Sequence, residues 1–303
     1  MQQTSNDLSR AATPMISVIV PHYNDLIGLD RCLDALKRQT YPPDCFEIIV
    51  GDNNSAAGAE AVACTVAGRA QLTVVTEKGA GPARNGALAL ARFDVIALTD
   101  SDCVPDPKWL ENGIKALENL DLVGGRMDVF PENPSKIKPV EAFELVFAFD
   151  NKNYILKNGF SVTANLFTRQ SIFKRVGYFS SFGLSEDVEW CRRATSFGFR
   201  LGYDDDVVVA HPARPTWADM WKKTLRSDTE MFNLKVGSNI ARVRWVMRVL
   251  GYPISAIIHT PKVLMSRNLN DFGQRVGALG ILYRIRFQRS ALGFRLLFAN
   301  ILT

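Results

Sequence analysis

The chain has 303 residues and is 47% hydrophobic, 22% charged and 10% aromatic, which excludes a disordered chain, a collagen-like repeat and a coiled coil. The length allows one large domain or two modest ones, with enough chain to bury a core. The net charge of +5 hides an asymmetry: residues 1–234 hold 25 Lys/Arg against 30 Asp/Glu, whereas residues 235–303 hold 11 Lys/Arg and one acid, Asp271. A basic tail on an acidic body suits a polyanionic neighbour, a membrane surface or a nucleic acid. The cysteines Cys32, Cys45, Cys64, Cys103 and Cys191 are dispersed without a CxxC pair. That argues against a disulfide framework or zinc knuckle and fits a reducing compartment.

Residues 1–15 are polar, lack the apolar segment of a signal peptide and read as a flexible tail. No stretch reaches the roughly 18 apolar residues of a membrane span. The nearest, Val249 to Ile258, is closed off by Arg248 and Lys262 and interrupted by Pro253.

From residue 16 the pattern alternates between strand and helix. Ile16 to Val20 is a β-branched strand, and Leu29, Leu33 and Leu36 mark a helix over 28–39. Phe46 to Val50 is a second strand, followed by a small-residue helix over 57–68. Leu72 to Val75 is a third, followed by a helix from Gly81-Pro82 to Ala91. Asp94 to Leu98 is a fourth, and Asp106-Pro107 reads as the N-cap and first turn of a helix ending at Leu117. Beyond it, Leu122 to Phe130, Ser161 to Thr168 and Asp206 to Ala210 read as strands, with helical patterns near 138–150 and 185–197. Strand–helix alternation predicts an α/β fold with a parallel sheet over 16–211. Ligands bind such sheets at the carboxyl ends of the strands, where the polar clusters 22–25, 51–55, 78–85 and 100–102 fall.

Asp100-Ser101-Asp102 follows an apolar strand. Two carboxylates so spaced suit one hard divalent cation, which takes oxygen ligands and substrate phosphates. They also suit a plain turn. Ser185-Glu186-Asp187 starts a helix whose dipole favours acids there; a carboxylate in that place is also a candidate general base. Lys78 to Asn85 joins glycines, a helix start and two cations, an arrangement that suits phosphate or a simple loop-to-helix junction. His211 ends the late strand and could complete a manganese-like metal site.

Together these segments resemble family 2 glycosyltransferases. Pro21-His22-Tyr23-Asn24-Asp25 is similar to the first-strand signature, Gly51 to Ser55 to the second-strand acidic turn, and Gly81 to Asn85 to the Ala-Arg-Asn helix start. Asp100-Ser101-Asp102 resembles the DxD motif and Glu186-Asp187 the ED motif. The resemblance spans about 16–215. It implies a GT-A fold, a Rossmann-like, mostly parallel sheet flanked by helices. It also implies inverting transfer of a sugar from a nucleotide-diphosphate donor, with UDP-sugars the commonest expectation and GDP- and dTDP-sugars open. Carried over, Pro21, Tyr23, Asn24, Asp52, Arg84, Asp100 and Ser101 would bind the nucleotide. Asp102, Asp100 and His211 would hold Mn²⁺ or Mg²⁺, and Asp187, with Glu186 beside it, would be the catalytic base. The nucleotide-binding half would be 16–105 and the acceptor half 106–215. Two departures stand out. Gly51 replaces an aspartate that many members carry, and the QxxRW signature of processive members is missing around Thr224-Leu225-Arg226, which implies one sugar per acceptor.

The aromatic stretch Phe143, Val146, Phe147 and Phe149 reads as core or as an apolar groove for a lipid-linked acceptor. In the tail, Val243, Val246, Met247 and Leu250 recur at helical spacing among Arg242, Arg244 and Arg248. Further on, Arg284, Arg286, Arg289 and Arg295 alternate with Leu282, Ile285, Phe287, Leu292, Phe294 and Leu297. Basic amphipathic helices with aromatics lie in membrane interfaces, or pack on a core. Residues 216–303 are therefore expected to be a basic helical region on an anionic membrane. This favours a cytoplasmic protein, peripheral on the inner face of the membrane, acting on a saccharide or lipid-linked saccharide in bacterial cell-surface polysaccharide synthesis. No nucleic-acid recognition module is visible, so no nucleic-acid partner is expected. A sugar nucleotidyltransferase is the rival enzyme, but the lysine-rich loop it needs after the first strand is replaced by Pro21-His22-Tyr23-Asn24. A non-catalytic sugar-nucleotide scaffold is the rival binding protein.

Overall fold

The computed structural model describes residues 13–181, 185–236 and 238–301. Of the expected flexible tail over 1–15, residues 1–12 lie outside the described residues. The first half alternates as the apolar pattern requires: β1 (Ile16–His22), α1 (Leu26–Lys37), β2 (Phe46–Asp52), α2 (Ala59–Val66), β3 (Gln71–Val74), α3 (Ala80–Leu88), β4 (Val95–Leu98). Then come β5 (Val104–Pro105), α4 (Trp109–Ala116), β6 (Leu122–Phe130), α5 (Pro139–Phe147), α6 (Asn151–Asn158), β7 (Leu166–Arg169), α7 (Gln170–Val176), α8 (Glu186–Ser196) and β8 (Leu201–Pro212). Three long helices follow: α9 (Trp217–Lys235), α10 (Asn239–Leu264) and α11 (Phe272–Ile301).

One eight-stranded sheet runs β3-β2-β1-β4-β7-β6-β8-β5. β3, β2, β1 and β4 are parallel. β7 runs antiparallel to β4 and β6, and β6 and β8 are parallel. Every residue of β1 is buried, as a strand covered on both faces must be. Cores form on both sides of the sheet. One joins Ile16, Leu33 and Trp109; the other joins Ile19, Leu98 and Trp190.

Several boundaries differ from the sequence reading. Ser161 to Thr168 is not one strand, because Thr163–Asn165 forms a 3₁₀ turn and only Leu166–Arg169 pairs. The side chain of Asn165 explains the turn. Its Nδ2 donates to the carbonyls of Arg126 and Val207, and its Oδ1 accepts from Trp109 Nε1. A fully buried amide with three partners fixes the backbone locally against strand propensity. α4 begins at Trp109, and the Asp106 carboxylate accepts from Lys108 N–H at 2.9 Å instead of capping directly.

Gly51 has a packing reason. A Cβ there would sit 2.1 Å from the carbonyl oxygen of Ala83, so α3 approaches β2 as closely as a glycine allows. The close approach of α3 therefore excludes any side chain at position 51, including the aspartate of the resembled pattern.

The aromatic stretch of α5 packs inward. Phe143 is buried with Met220, Ala256, Leu282 and Ile285 from the last three helices. α10 and α11 therefore lie against α5 through an apolar interface. Phe147 faces His259 and Lys262, so the stretch packs as core, the first of the two readings the sequence offered.

Candidate active site

The register of the last strand assembles the first part of the site. Val104 pairs with Ala210 in the antiparallel ladder of β5 and β8. Extending that register one residue brings the Asp102-Cys103 segment opposite His211. His211 Nε2 lies 3.3 Å from Asp102 Oδ2. His211 Nδ1 lies 2.7 Å from the Pro212 carbonyl oxygen, so Nδ1 carries the proton and donates it there. Nε2 faces a carboxylate oxygen: with a proton on Nε2 the two make a charge-assisted hydrogen bond, and without it two acceptors face each other and can share a cation. Phe149 covers the imidazole at 5.0 Å between ring centroids.

Asp102, Cys103 and His211 bring ligand atoms within 4.8 Å of one another. Cys103 is fully buried, and burial followed by the charges of Asp102 and Asp100 holds its thiol well above the usual range. A protonated thiol is no ligand for a hard cation. Asp102 and His211 are the donors that fit. Burial pushes the Asp102 carboxyl up, but the hydrogen bond and charge of His211, with Arg214 nearby, outweigh it and hold it at about 2. An ionised carboxylate beside an imidazole lone pair matches the donors Mn²⁺ or Mg²⁺ accepts.

The second part is a bridge. Arg84, on α3, is 3% exposed. Its Nη2 donates to Asp100 Oδ1 at 2.6 Å and its Nη1 to Glu186 Oε1 at 2.8 Å. One guanidinium thus ties the end of β4 to the start of α8. Asp187, next to Glu186, behaves differently. Burial first, then the Glu186 charge, raise its acid to about 7, with Arg84 opposing. Its Oδ1 accepts from Val188 N–H at 2.7 Å.

The first-strand and second-strand residues form a separate knot. Asp52 is fully buried. Its Oδ1 accepts from His22 Nδ1 at 2.8 Å and Ser55 Oγ at 2.6 Å, and its Oδ2 from Ser55 N–H at 3.0 Å. Asn24 holds a left-handed φ of 57°, donates N–H to Ser55 Oγ, and accepts from Ala56 N–H. Pro21 is buried in register with Gly51. These side chains build the loop from within, whereas Tyr23 stands 60% exposed at its tip. Ser101 is buried between the two aspartates.

The structure adds residues the motifs did not single out. Glu230 of α9 lies in the field of Glu186 and Asp187. Burial, against the opposing charge of Arg226, joins those charges to raise its acid to about 7. Lys223, two turns earlier, places its ammonium 5.1 Å from the Phe149 centroid. Burial and the charge of Arg214 bring its pKa down to about 8. The available signal was the spacing: Lys223, Arg226 and Glu230 fall on one helical face. Arg214 is held by Glu144 through its N–H at 2.6 Å and its Nη1 at 2.9 Å.

The sequence model described as Glycosyl transferase family 2 matches residues 17–177, from β1 to the end of α7. The chain belongs to glycosyltransferase family 2. Glycosyltransferase AglE of Haloferax volcanii is 31% identical over 271 residues, covering 87% of this chain and 88% of that protein. The mannosyltransferase PcManGT of Pyrobaculum calidifontis, solved with GDP-Man and Mn²⁺, superposes with a TM-score of 0.61 at 20% identity, over 96% of this chain and 88% of that one. A fragment of TarS from S. aureus, solved with UDP-GlcNAc, gives 0.52 at 15% identity over 92% of each chain. Those two likenesses establish the GT-A fold. This glycosyltransferase places its DxD segment, Arg84 and the ED pair together at one end of the sheet, while Asp52 and Asn24 serve the loop beside them.

Proposed function

We propose that this glycosyltransferase moves one sugar, with inversion, from a UDP-sugar to a hydroxyl of a lipid-linked saccharide. The observation that carries this reading is the division of labour between two carboxylates. Asp102 is held ionised beside His211, and Asp187 is raised to about 7 at the other side of the Arg84 bridge. A base poised near neutrality is suited to take the proton of an attacking hydroxyl. A single displacement with one such base inverts the anomeric carbon. Asp102 and His211 would hold Mn²⁺ or Mg²⁺, with Asp100 nearby. When bound, the cation supplies charge neutralisation for the diphosphate leaving group. Tyr23 would offer its exposed ring to the nucleotide, and Arg84 would hold Asp100 and Glu186 in place around it.

The test is calorimetric titration of UDP, GDP and dTDP with and without Mn²⁺. The expected result is Mn²⁺-dependent binding of UDP, reduced about tenfold or more by Asp102→Ala. A folded wild type that binds GDP or dTDP alone would replace the base assignment; binding that ignores Mn²⁺ would remove the cation from the reading.

The membrane part of the proposal rests on α10 and α11. Among the described residues no helix is long and apolar enough to cross a membrane. Yet α10 exposes Ile240, Val243, Met247, Leu250, Ile254 and Ile258, and α11 exposes Phe272, Val276, Tyr283 and Phe287. The two helices pack as an antiparallel pair, tied by Ser290 to Val249 and by Thr260 to Tyr283. On α10 the exposed apolar residues point away from those that make the helix–helix contact. Neither helix contains an acidic residue. A face both apolar and basic complements an anionic lipid surface, while two copies meeting there would repel. Wild type is expected to sediment with phosphatidylglycerol-containing vesicles. The exposed double variant Met247→Glu and Ile254→Glu should lose at least about 90% of that binding, since each apolar side chain buried in the interface contributes about 1.5–3 kcal/mol. Equal sedimentation would refute the surface.

A further inference from the structure

Five cations of the last three helices gather at Tyr252 and the cavity beside it. The guanidinium carbons of Arg248, Arg286 and Arg289 lie 5.9, 6.0 and 4.7 Å from the centroid of Tyr252. Asp228 of α9 pairs with Arg289 through two hydrogen bonds of 2.8 and 2.5 Å. Arg248 Nε donates to Tyr252 Oη at 3.0 Å. The Nε of Arg286 is buried with no hydrogen-bond partner among the described residues. Among those residues, no carboxylate stands within ion-pair distance of Arg248 or Arg286. Beside this group is a cavity of about 320 Å³ lined by Lys235, Ala241, Arg244, Trp245 and Arg248. Every charged residue lining it is a cation. That volume falls at the small end of the roughly 300–1,000 Å³ typical of small-molecule sites.

Lys235, Arg244 and Arg248 are exposed and Arg286 is half-buried; among the described residues none has a carboxylate within ion-pair distance, and the like charges press on one another. Burial first, then the charges of Arg248 and Arg192, lower the pKa of Lys235. Burial and Arg289, with Arg248 adding to them, do the same for Arg286. An anion seated among them would relieve both penalties.

The position says which anion. Tyr154 of α6 lies within electrostatic reach of both Arg289 and Asp187. Lys235 follows Glu230 on α9, and Arg192 follows Asp187 on α8. The cluster thus stands on the side of the base, within electrostatic reach of the helices that carry Asp187 and Glu230. The same α10 that supplies Arg244 and Arg248 exposes Val243, Met247 and Leu250 to its surroundings. A ligand that fits both features carries a phosphoryl group and a hydrocarbon chain.

We propose that Lys235, Arg244, Arg248 and Arg286 form the binding site for the phosphate or diphosphate that joins the acceptor's saccharide to its lipid. This rests on the lipid-linked acceptor proposed above and adds the group by which the acceptor is held. The shared chemistry is a phosphoryl anion, whose other sources are the donor diphosphate and a phospholipid headgroup.

Titration of the full chain with farnesyl diphosphate, farnesol, inorganic pyrophosphate and short-chain phosphatidylglycerol separates these sources. Farnesyl diphosphate should bind at least about tenfold more tightly than farnesol, and pyrophosphate should compete with it. Arg286→Gln and Lys235→Gln should each weaken it about tenfold, with nucleoside diphosphate binding held within about twofold. Arg289 is left intact because its removal would strand buried Asp228. Equal affinity for farnesol overturns the proposal. So does a parallel loss of nucleoside diphosphate binding in the variants, which would assign the cations to the donor. Phosphatidylglycerol competing as well as pyrophosphate would assign them to a headgroup. If wild type fails to bind any nucleotide, the donor reading falls while the farnesyl comparison still decides this one. Should both variants fail to fold, the wild-type comparison of farnesyl diphosphate with farnesol remains decisive.

Discussion

Asp187→Asn is expected to lower kcat/KM by about 10²–10⁴-fold, the range for loss of a general base, while leaving nucleotide affinity nearly unchanged. In the wild type, kcat/KM should rise with pH to a plateau with a midpoint near the raised value of about 7. The reason is that burial and the neighbouring Glu186 charge disfavour the Asp187 carboxylate, and only that form accepts the acceptor proton. The same shift carries a stability consequence of opposite benefit. The unfolded chain releases this proton near the ordinary value of 3.8, while the folded chain keeps it to about 7. Stability is therefore whole below pH 4 and falls as pH rises toward 7. Asparagine carries no charge to lose, so the variant should melt at a higher temperature than wild type at pH 8. Thermal melts at pH 5 and pH 8, with initial rates across the same range, check both. A variant that retains activity, or a flat wild-type profile between pH 5 and 8, would remove Asp187 from its role.

Arg84→Gln should cost about 2–4 kcal/mol of stability, because it removes one side of a two-carboxylate bridge whose guanidinium is nearly fully buried. The low end of the range applies because Asp100 and Glu186 are 33% and 20% exposed and so partly hydrated. The substitution also removes a cation that lowers the Asp187 acid. The midpoint of the kcat/KM profile should then move above 7, and activity at pH 7 should fall further than at pH 9. Arg84→Lys should not restore the wild type, since a single ammonium cannot reproduce the planar fork that reaches Asp100 and Glu186 at once. An unchanged melting temperature and an unchanged midpoint would show that the bridge governs neither the packing nor the base.

The motifs were legible because chemistry at the carboxyl ends of strands needs particular residue types in particular places. Asp100, Asp102, Arg84, Glu186 and His211 all stood out in sequence, and the fold brings Asp102 to His211 and Arg84 to both acids. What their neighbours do was not legible. The resemblance implies Asp52 and Asn24 as nucleotide ligands, but it does not show that their side-chain oxygens also bond to His22, Ser55 and Ala56 within the loop. A carboxylate's residue type does not tell whether a serine three positions on will fold back on it.

Local pattern alone determined the alternation of strand and helix, the parallel first half of the sheet and the basic, acid-free tail, because apolar periodicity and charge are properties of adjacent residues. Only the tertiary structure decided that β7 enters antiparallel between β4 and β6, that Glu230 and Lys223 reach the site from α9, and that Phe143 closes against α10 and α11. It also decided that Arg248 would meet Arg286 and Arg289, distant from it in sequence, around Tyr252 with Asp228 bonded to one of them. Each of these depends on which surfaces pack across the chain. Burial, register and the net charge of a cluster are fixed by neighbours distant in sequence, and no window of adjacent residues contains them.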